Sequence, residues 1–174
     1  SFIQRAYDQL VHDVAIQNLP VVICADRAGI VGNDGETHQG LLDLSFTNTI
    51  PNFNIMAPKD FKELDQMLEF AVELKKPVMI RYPRGGEEIS FETSDEIELG
   101  KAEVLREGEE IAIIAIGKMV SRAIEVAEEL EKEGKESTVI NARFLKPLDE
   151  ETIFENIKDK KIVVTIEDGT IVGG

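Results

Sequence analysis

The sequence predicts an α/β protein made of two three-layer α/β/α units with mainly parallel sheets. Two observations lead to this fold class. In each half, short apolar runs of strand length alternate with longer segments whose apolar residues recur at helical spacing, and this alternation is typical of parallel sheets joined through helices. Between the halves, residues 86–99 are acidic and contain glycine but have no sustained periodicity, so we predict an inter-domain linker. Residues 1–85 and 100–174 are then the two domains.

The first half contains the clearest strand and helix signals. Asp60, followed three residues later by Glu63, resembles a capping box at the start of a helix. The continuous apolar run of residues 20–25 is typical of a strand covered on both faces, so we interpret Cys24 as a buried packing residue. The predicted elements are a helix at 3–18, a strand at 20–25, helical turns within 41–50, a strand at 53–58, a helix at 61–74 and a strand at 77–83.

The alternation of strands and helices starts again after the linker. A turn at Glu107 and Gly108 joins two strands, and Gly134 is placed to cap the C-terminal end of an amphipathic helix. The predicted elements are two strands within 101–117, a helix at 119–134, a strand at 137–144, a short helix capped by Asp149 and a strand at 160–168. Cap or surface roles are expected for four polar residues at strand ends: Arg143, Lys146, Glu167 and Asp168.

Charge and composition exclude several classes of function. The formal net charge of −15 argues against nucleic-acid binding, which needs a basic surface. The acidic residues concentrate after residue 86, so any anionic ligand of this chain is expected to bind in the first half. No apolar run approaches the roughly 18 residues of a membrane span. The single cysteine cannot form an internal disulfide, which fits a reducing, cytoplasmic location.

Two polar loops follow strands of the first half. Residues 26–40 follow the first predicted strand, and the second loop follows the third strand at residues 81–86. In open parallel sheets, ligands bind beyond the carboxyl ends of the strands, so the two loops are expected to face one crevice. The first loop contains four glycines within residues 29–40, which allows close approach of its backbone to a ligand. It matches no phosphate-binding fingerprint.

The loops carry the residues that can bind or react. His38 is a candidate proton donor or acceptor, and the alternative is a histidine held by backbone carbonyls. Asp34 could orient His38 or a substrate hydroxyl, or it could be a simple turn residue. Arg27 and Arg84 could converge on one anion through their planar guanidinium groups, or form surface ion pairs. Arg81 is expected to point to the opposite face. The sequence has no CxxC or HExxH pattern, and no metal site is predicted.

Five segments carry a resemblance to a known family, and together they run essentially from end to end. They are SFIQRAYDQLVHDVAIQNLPVV, DRAGIVGNDGETHQGLLDLSF, IPNFNIMAPKD, RYPRG and ARFLKPLDE. The chain resembles the 1-deoxy-D-xylulose-5-phosphate synthases, a family of transketolase-type thiamine-diphosphate enzymes. The pattern GxDGxTHQG is shared in looser form with transketolases and with the β-subunits of 2-oxo-acid dehydrogenases. The combination of AYDQL, DRAGxVGxDGxTHQG and RYPRG points more narrowly to the synthases.

The resemblance implies a reaction and roles for the loop residues. Enzymes of this family join pyruvate to glyceraldehyde 3-phosphate, releasing carbon dioxide and forming 1-deoxy-D-xylulose 5-phosphate, a precursor in isoprenoid, thiamine and pyridoxal biosynthesis. His38 and Asp34 would face the substrate. Arg27 and Arg84 would hold the phosphate of the aldehyde. The resemblance also implies a homodimer.

The cofactors implied by the resemblance are thiamine diphosphate and Mg²⁺. Phe2 would pack on the aminopyrimidine ring with Arg5 nearby, whereas helical periodicity alone favours core packing for Phe2. Residues 1–85 would be the later part of the pyrimidine-binding domain, and residues 100–174 most of the C-terminal domain. The family's GDG motif for diphosphate and magnesium is absent from this sequence, as is the glutamate that activates the aminopyrimidine. We therefore expect the chain to be a fragment that is inactive by itself.

Two other functions are compatible with the sequence. The first is another enzyme of the transketolase superfamily, either a transketolase or a dehydrogenase β-subunit. The second is a non-catalytic α/β module that pairs with another chain, and the acidic second half, which has no evident catalytic group, is compatible with it.

Overall fold

The chain forms two four-stranded sheets in a computed structural model that describes residues 2–86, 89–91 and 96–173. The strands are β1 (Val22–Ala25), β2 (Asn54–Met56), β3 (Val78–Arg81), β4 (Glu103–Arg106), β5 (Ile111–Ala115), β6 (Ser137–Asn141), β7 (Phe144–Lys146) and β8 (Ile162–Ile166). A helical segment α1 runs through Ile3–Ala6, Tyr7–Gln9 and Leu10–Ala15, and the other helices are α2 (Asp43–Asn48), α3 (Phe61–Leu74), α4 (Met119–Lys132) and α5 (Glu150–Ile157).

Both sheets are mainly parallel, which confirms the predicted fold class. The first sheet has the order β1-β3-β2-β7, and the second has the order β4-β6-β5-β8. In each sheet three strands are parallel and one edge strand is antiparallel, namely β7 in the first sheet and β4 in the second. Helices pack on the strands of both sheets. None of the helices in the described part of the chain is long and apolar enough to cross a membrane.

Strand β1 lies at the edge of the first sheet, and this position corrects the interpretation of Cys24. The central strand β3 is buried at all four positions, as expected for a strand covered on both faces. In contrast, Cys24 is exposed. The prediction of a buried cysteine is wrong because, among the described residues, β1 pairs with β3 on one side alone and Cys24 lines a cavity beside α1.

Helix α3 begins at the predicted N-cap. The carboxylate of Asp60 accepts a hydrogen bond from the backbone N–H of Glu63 at 2.7 Å, which satisfies one of the free donors at the helix start. Glu63 does not complete a capping box with Asp60. Instead, its Oε2 accepts a hydrogen bond from the backbone N–H of Lys59 at 2.7 Å, and its carboxylate turns toward the second sheet.

The second sheet follows the predicted order of elements. Helix α4 ends as expected at Gly134, which has a φ of +74° and donates its N–H to the carbonyl of Glu131 at 2.8 Å. Asp149 caps α5 by accepting a hydrogen bond from the backbone N–H of Thr152 at 3.1 Å. Strands β4 and β5 are consecutive, but β6 lies between them in the sheet.

The predicted strand at residues 137–144 is split, and its two parts belong to different sheets. Arg143 adopts a φ of +56°, which ends β6 and redirects the backbone into β7. β7 then pairs antiparallel with β2, opposite Ile55 and Met56. The second half of the chain thus contributes a strand to the first sheet. The domain division at 85 and 100 stays a prediction, and residues 87–88 and 92–95 of the predicted linker lie outside the described residues.

Arg143 is 1% exposed, so its predicted cap or surface role is wrong. Its Nε donates a hydrogen bond to Glu63 at 2.7 Å, and its Nη2 lies 3.3 Å from Glu103. Lys59 bridges the same two carboxylates at 3.1 and 2.7 Å. Burial would raise the pKa of Glu103, but Lys59 and Arg143 lower that pKa below its usual value. Two oppositely charged residues from each half of the chain therefore form one buried ionic network between the sheets.

Candidate active site

The loop of residues 26–40 leaves the end of β1 and is closed at its base by two glycines. The N–H of Gly29 donates to the carbonyl of Gly40 at 2.9 Å, and the N–H of Gly40 donates to the carbonyl of Gly29 at 3.0 Å. We call this pair of residues the neck. Gly29 has a φ of +72°, a conformation that L side chains rarely adopt. The loop is therefore a defined structure with paired ends.

Gln39 fills the inside of the loop. Its Oε1 accepts a hydrogen bond from the N–H of Val31 at 2.6 Å. Its Nε2 donates to the carbonyls of Val31 at 3.2 Å and of Gly35 at 3.1 Å. A third carbonyl, that of Asp34, lies at 3.4 Å. One side chain thus ties both arms of the loop together and holds the turn that carries Asp34.

Arg27 and Arg84 converge on Asp34. Arg84 Nη1 donates a hydrogen bond to Asp34 Oδ1 at 2.5 Å, and Arg27 Nη1 lies 3.5 Å from Asp34 Oδ2. The Asp34 side chain is 8% exposed, whereas the side chains of the two arginines are 42% and 50% exposed. The two arginines therefore converge on one anion, and this anion is the carboxylate of Asp34, with which both form ion pairs. Asp34 is hydrogen-bonded to Arg84 in the described structure, not to His38.

The other three candidate residues, Phe2, Arg5 and His38, contact one another in a row. The rings of Phe2 and His38 meet edge to face with their centroids 4.9 Å apart. The guanidinium carbon of Arg5 lies 5.0 Å from the centroid of the Phe2 ring. His38 Nδ1 is 2.9 Å from Thr37 Oγ1, and Nε2 makes no hydrogen bond to the described residues. Phe2 is 43% exposed, so the core-packing alternative does not hold.

Two cavities flank these clusters. The first, of about 680 Å³, lies between α1 and the end of β1 and is lined by Phe2, Arg5, Cys24 and Arg27, among others. The second, of about 310 Å³, lies between the loop and the start of α3, and Arg84 is among its lining residues. The six residues singled out from sequence therefore lie in and around one region at the carboxyl ends of β1 and β3.

Arg81, the last residue of β3, is directed to the neck. Its Nη2 donates a hydrogen bond to the carbonyl of Gly40 at 2.9 Å, and its Nη1 donates to Asp168 Oδ1 at 2.7 Å. Asp168 also lies 3.1 Å from the ammonium of Lys118. The predicted cap or surface role of Asp168 is wrong, because β8 ends beside the loop and directs this carboxylate into the protein. Arg81 therefore bonds the neck and Asp168, whereas Arg84 bonds Asp34.

Two carboxyl groups near Arg81 have pKa values that shift in opposite directions. Burial raises the pKa of Asp43 against the opposing effect of Arg81, whose Nε lies 3.8 Å from it. Neither oxygen of Asp43 accepts a hydrogen bond from the described residues. Burial would also raise the pKa of Asp168, but Arg81 and Lys118 lower it below its usual value. The base of the loop is thus a compact set of buried charges.

Sequence reasoning missed the residues that support the loop. Gln39, Asp43 and Lys118 gave no signal, and Asp168 was interpreted as a surface residue. Arg81 lies within the motif RYPRG, but its partner Asp168 lies near the C-terminal end of the sequence. Contacts over such a separation have no local pattern in the sequence. Among the described residues, no group of three or more His, Cys, Asp or Glu could hold a metal ion.

Two mainly parallel sheets, with a glycine-rich loop at the carboxyl ends of the first, belong to the class of open α/β proteins that bind ligands beyond the carboxyl ends of their strands. The family model for the transketolase pyrimidine-binding domain matches residues 1–86, and that for the transketolase C-terminal domain matches residues 100–174. The chain belongs to the transketolase family.

Relatives with a narrower name match the entire chain. The chain is 54% identical to the 1-deoxy-D-xylulose-5-phosphate synthases of Natranaerobius thermophilus and Caldanaerobacter subterraneus. Each of the two alignments covers 100% of this chain and 28% of the relative. The synthase of Prochlorococcus marinus is also 54% identical over the same shares of the two chains. The chain therefore spans just over a quarter of the length of the curated relatives it matches.

Solved structures agree with the fold. A split-gene transketolase, described as an inactive β4 tetramer, superposes with a TM-score of 0.89 at 33% identity, covering 98% of this chain and 55% of the other. A transketolase variant from Pichia stipitis superposes with a TM-score of 0.86 at 24% identity, covering 99% and 26% of the two chains. The second likeness concerns the fold alone.

Proposed function

We propose that this chain supplies the substrate-facing part of a thiamine-diphosphate-dependent synthase. This enzyme condenses pyruvate with glyceraldehyde 3-phosphate to 1-deoxy-D-xylulose 5-phosphate and carbon dioxide, on the way to isoprenoid precursors. Relatives with that name are 54% identical over the whole chain. The structural observation that carries the proposal is the convergence of Arg27 and Arg84, which follow different strands, on one carboxylate.

The arginine pair has the charge that a phosphate site needs. Two guanidinium groups facing the single carboxylate of Asp34 leave one unit of positive charge, in a chain whose net charge is −15. Both arginines are partly exposed, so they can reach a ligand without the large desolvation cost of buried charges. Guanidinium groups bind phosphate through parallel charge-assisted hydrogen bonds. We infer that the aldehyde phosphate binds both arginines and competes with Asp34 for them.

His38 is the candidate residue that can act on the reacting oxygen of the aldehyde. Thr37 Oγ1 lies 2.9 Å from Nδ1 of His38. In the tautomer whose Nδ1 accepts a hydrogen bond from Thr37, the N–H at Nε2 can donate to an oxygen of the substrate. Such a donor stabilises negative charge on the aldehyde oxygen as the new carbon–carbon bond forms. The phosphate held by the arginines would orient the aldehyde toward His38.

The cavity beside Phe2 fits the aminopyrimidine end of the cofactor. Phe2 exposes 43% of its surface next to a cavity of about 680 Å³, and an aromatic ring can stack there. When bound, thiamine diphosphate supplies the electron sink for decarboxylation of pyruvate. Phe2 and Arg5 would hold one end of it, and Mg²⁺ is proposed as a second cofactor from the family resemblance of the sequence alone. Since the chain spans 28% of those relatives, we expect it to be inactive without the rest.

We further propose that the complete protein is a cytoplasmic homodimer. The solved relative described as a β4 tetramer supports self-association of chains with this fold. Light scattering on the purified full-length protein measures its mass directly. A monomeric mass at micromolar concentration would contradict the dimer.

Replacing Arg84 tests the proposed function in the full-length protein that contains this chain. Arg84→Ala should raise KM for glyceraldehyde 3-phosphate by about 10- to 100-fold, since hydrogen bonds to charged groups contribute about 1.5–3 kcal/mol. KM for pyruvate should stay within about twofold, because pyruvate carries no phosphate. Arg122→Ala is the matched control: Arg122 is a partly exposed arginine on α4 whose Nη1 donates to Glu125 at 2.7 Å.

The product of the wild-type reaction decides between the alternatives. Formation of 1-deoxy-D-xylulose 5-phosphate from pyruvate and the aldehyde supports the synthase. Ketol transfer between sugar phosphates would instead identify a transketolase, and no turnover with any of these substrates would favour a non-catalytic module. An equal rise in both KM values on Arg84→Ala would contradict the assignment of Arg84 to the phosphate.

A further inference from the structure

The neck of the loop is held from outside by a buried ion pair between two distant parts of the chain. Arg81 is 3% exposed and comes from the end of β3, whereas Asp168 follows β8 in the second half. One guanidinium nitrogen of Arg81 binds the Asp168 carboxylate, and the other binds the carbonyl of Gly40. The Arg81 guanidinium thus connects a residue of the second half to the carbonyl of Gly40 in the loop.

Asp168 also supports the other side of the neck. A methyl group on Gly29 would lie 1.8 Å from Asp168 Oδ2, so this carboxylate is packed directly against the Gly29 backbone. Oδ2 faces Lys118 at 3.1 Å, and Arg81 together with Lys118 lowers the pKa of this carboxyl group. Gly29 and Gly40 are therefore held between two charged groups, with Arg81 on the carbonyl of Gly40 and Asp168 against Gly29.

We propose that Arg81 and Asp168 are positioning residues, which hold the neck closed and thereby direct the substrate-binding residues of the loop. Arg27 lies two residues before Gly29, and His38 lies two residues before Gly40. A shift of the neck moves both ends of the loop, and a misplacement of about 1 Å at a reacting group can cost about 100-fold in rate. This inference rests on the proposed function of the loop, and it adds a residue from the second half to the site.

Asp168→Asn in the full-length protein tests the inference. The asparagine has the same shape, so it still fits against Gly29, but it removes the charge that pairs with Arg81 and Lys118. We expect kcat/KM for glyceraldehyde 3-phosphate to fall by about 10- to 100-fold, with KM for pyruvate within about twofold of wild type. Asp149→Asn is the control, because Asp149 is also a buried, hydrogen-bonded aspartate of the second half and lies at the start of α5.

Hydrogen exchange gives a readout that does not depend on catalysis. The amide protons of Gly29 and Gly40 bond each other across the neck, so their exchange reports its opening. In Asp168→Asn both amides should exchange about 10-fold faster or more, while Asp149→Asn should leave them unchanged. Unchanged exchange at the neck, or unchanged kinetics in a variant whose neck has opened, would overturn the inference.

A milder variant covers the case in which Asp168→Asn does not fold. Arg81→Lys keeps the charge but loses the planar fork whose two nitrogens reach Asp168 and Gly40, and it should show the same changes in exchange and in aldehyde kinetics. If both variants fold, the double variant should be no worse than the more affected single variant, and additive losses would contradict a shared role. If the wild-type protein makes no synthase product, the proposed function fails while the exchange data still decide on the neck.

Discussion

The Nε atom of Arg143 donates a hydrogen bond to Oε1 of Glu63 at 2.7 Å, and this bond joins the end of β6 to the start of α3. Both side chains are almost fully buried. Lys59 and Glu103 complete the network with one further charge of each sign, so the group is electrically balanced. It is the most deeply buried ionic contact between the two halves among the described residues, and it connects the start of α3 to β4 and to the end of β6.

Removing Arg143 should strongly destabilise the protein. Arg143→Met keeps an apolar stem but leaves two buried carboxylates, Glu63 and Glu103, without the guanidinium that pairs with both, and breaking such a network costs about 3–5 kcal/mol. Urea unfolding followed by circular dichroism measures the loss. Lys132→Met, which removes an exposed partner of Glu129 on α4, should leave the unfolding midpoint unchanged. Equal midpoints for the two variants would contradict the role of the network.

The N-cap of α5 should have a measurable effect on stability. Asp149 accepts hydrogen bonds from the N–H of Thr152 at 3.1 Å and from the N–H of Ala102 at 3.0 Å. Asp149→Ala removes both and should cost about 1–2 kcal/mol. Asp149→Asn keeps an acceptor for the helix and should cost less. An alanine variant as stable as the wild type in thermal unfolding would show that the cap is dispensable.

Three glycines should respond differently to substitution by alanine. A methyl group on Gly108 would lie 2.4 Å from the backbone nitrogen of Ser137, which cannot move without disturbing β6, so this variant should be the least stable. Gly134 has open space but a φ of +74°, and alanine there should cost about 1 kcal/mol. Gly86 has open space without that constraint and should tolerate alanine. Thermal unfolding of the three variants tests the order, and a destabilised Gly86→Ala would contradict it.

The buried carboxyl group of Asp43 should make stability depend on pH. Its folded-state pKa is raised, so ionisation costs free energy above that folded pKa, and the cost disappears below the usual value of about 3.9. Asp43→Asn should therefore be more stable than the wild type at neutral pH, with the gain vanishing as the pH falls below about 4. Urea unfolding at several pH values measures this difference.

The pKa of Asp149 is shifted in the opposite direction, so its effect on stability should have the opposite sign. Burial would raise the pKa of Asp149, but hydrogen bonds from Ala102 and Thr152 lower it. Its ionised form therefore stabilises the fold above the usual pKa of about 3.9, and this contribution is lost as the pH falls through the lower folded-state pKa. Asp149→Asn should be less stable than the wild type at neutral pH. The same sign of change in both variants would contradict the two pKa directions.

Local patterns predicted the elements correctly wherever neighbours in sequence carried the information. The N-cap of α3 at Asp60 and the C-terminal cap of α4 at Gly134 are bonds between residues three positions apart, and such bonds leave a readable spacing. The prediction was wrong for the continuous strand at 137–144. There the apolar pattern continues through Ala142, while Arg143 turns the backbone into the other sheet. Periodicity carries no information on which sheet a strand joins.

The sequence by itself determined the alternation of strands and helices, the family and the two loops in which candidate residues lie, because residue spacing and local motifs encode these features. Only the tertiary structure decided how these residues are arranged: Asp34 bridges Arg27 and Arg84, and Asp168 holds the neck of the loop through Arg81. The physical reason is distance along the chain. Arg81 and Asp168 are 87 positions apart, and only the packing of the two sheets brings their charges together.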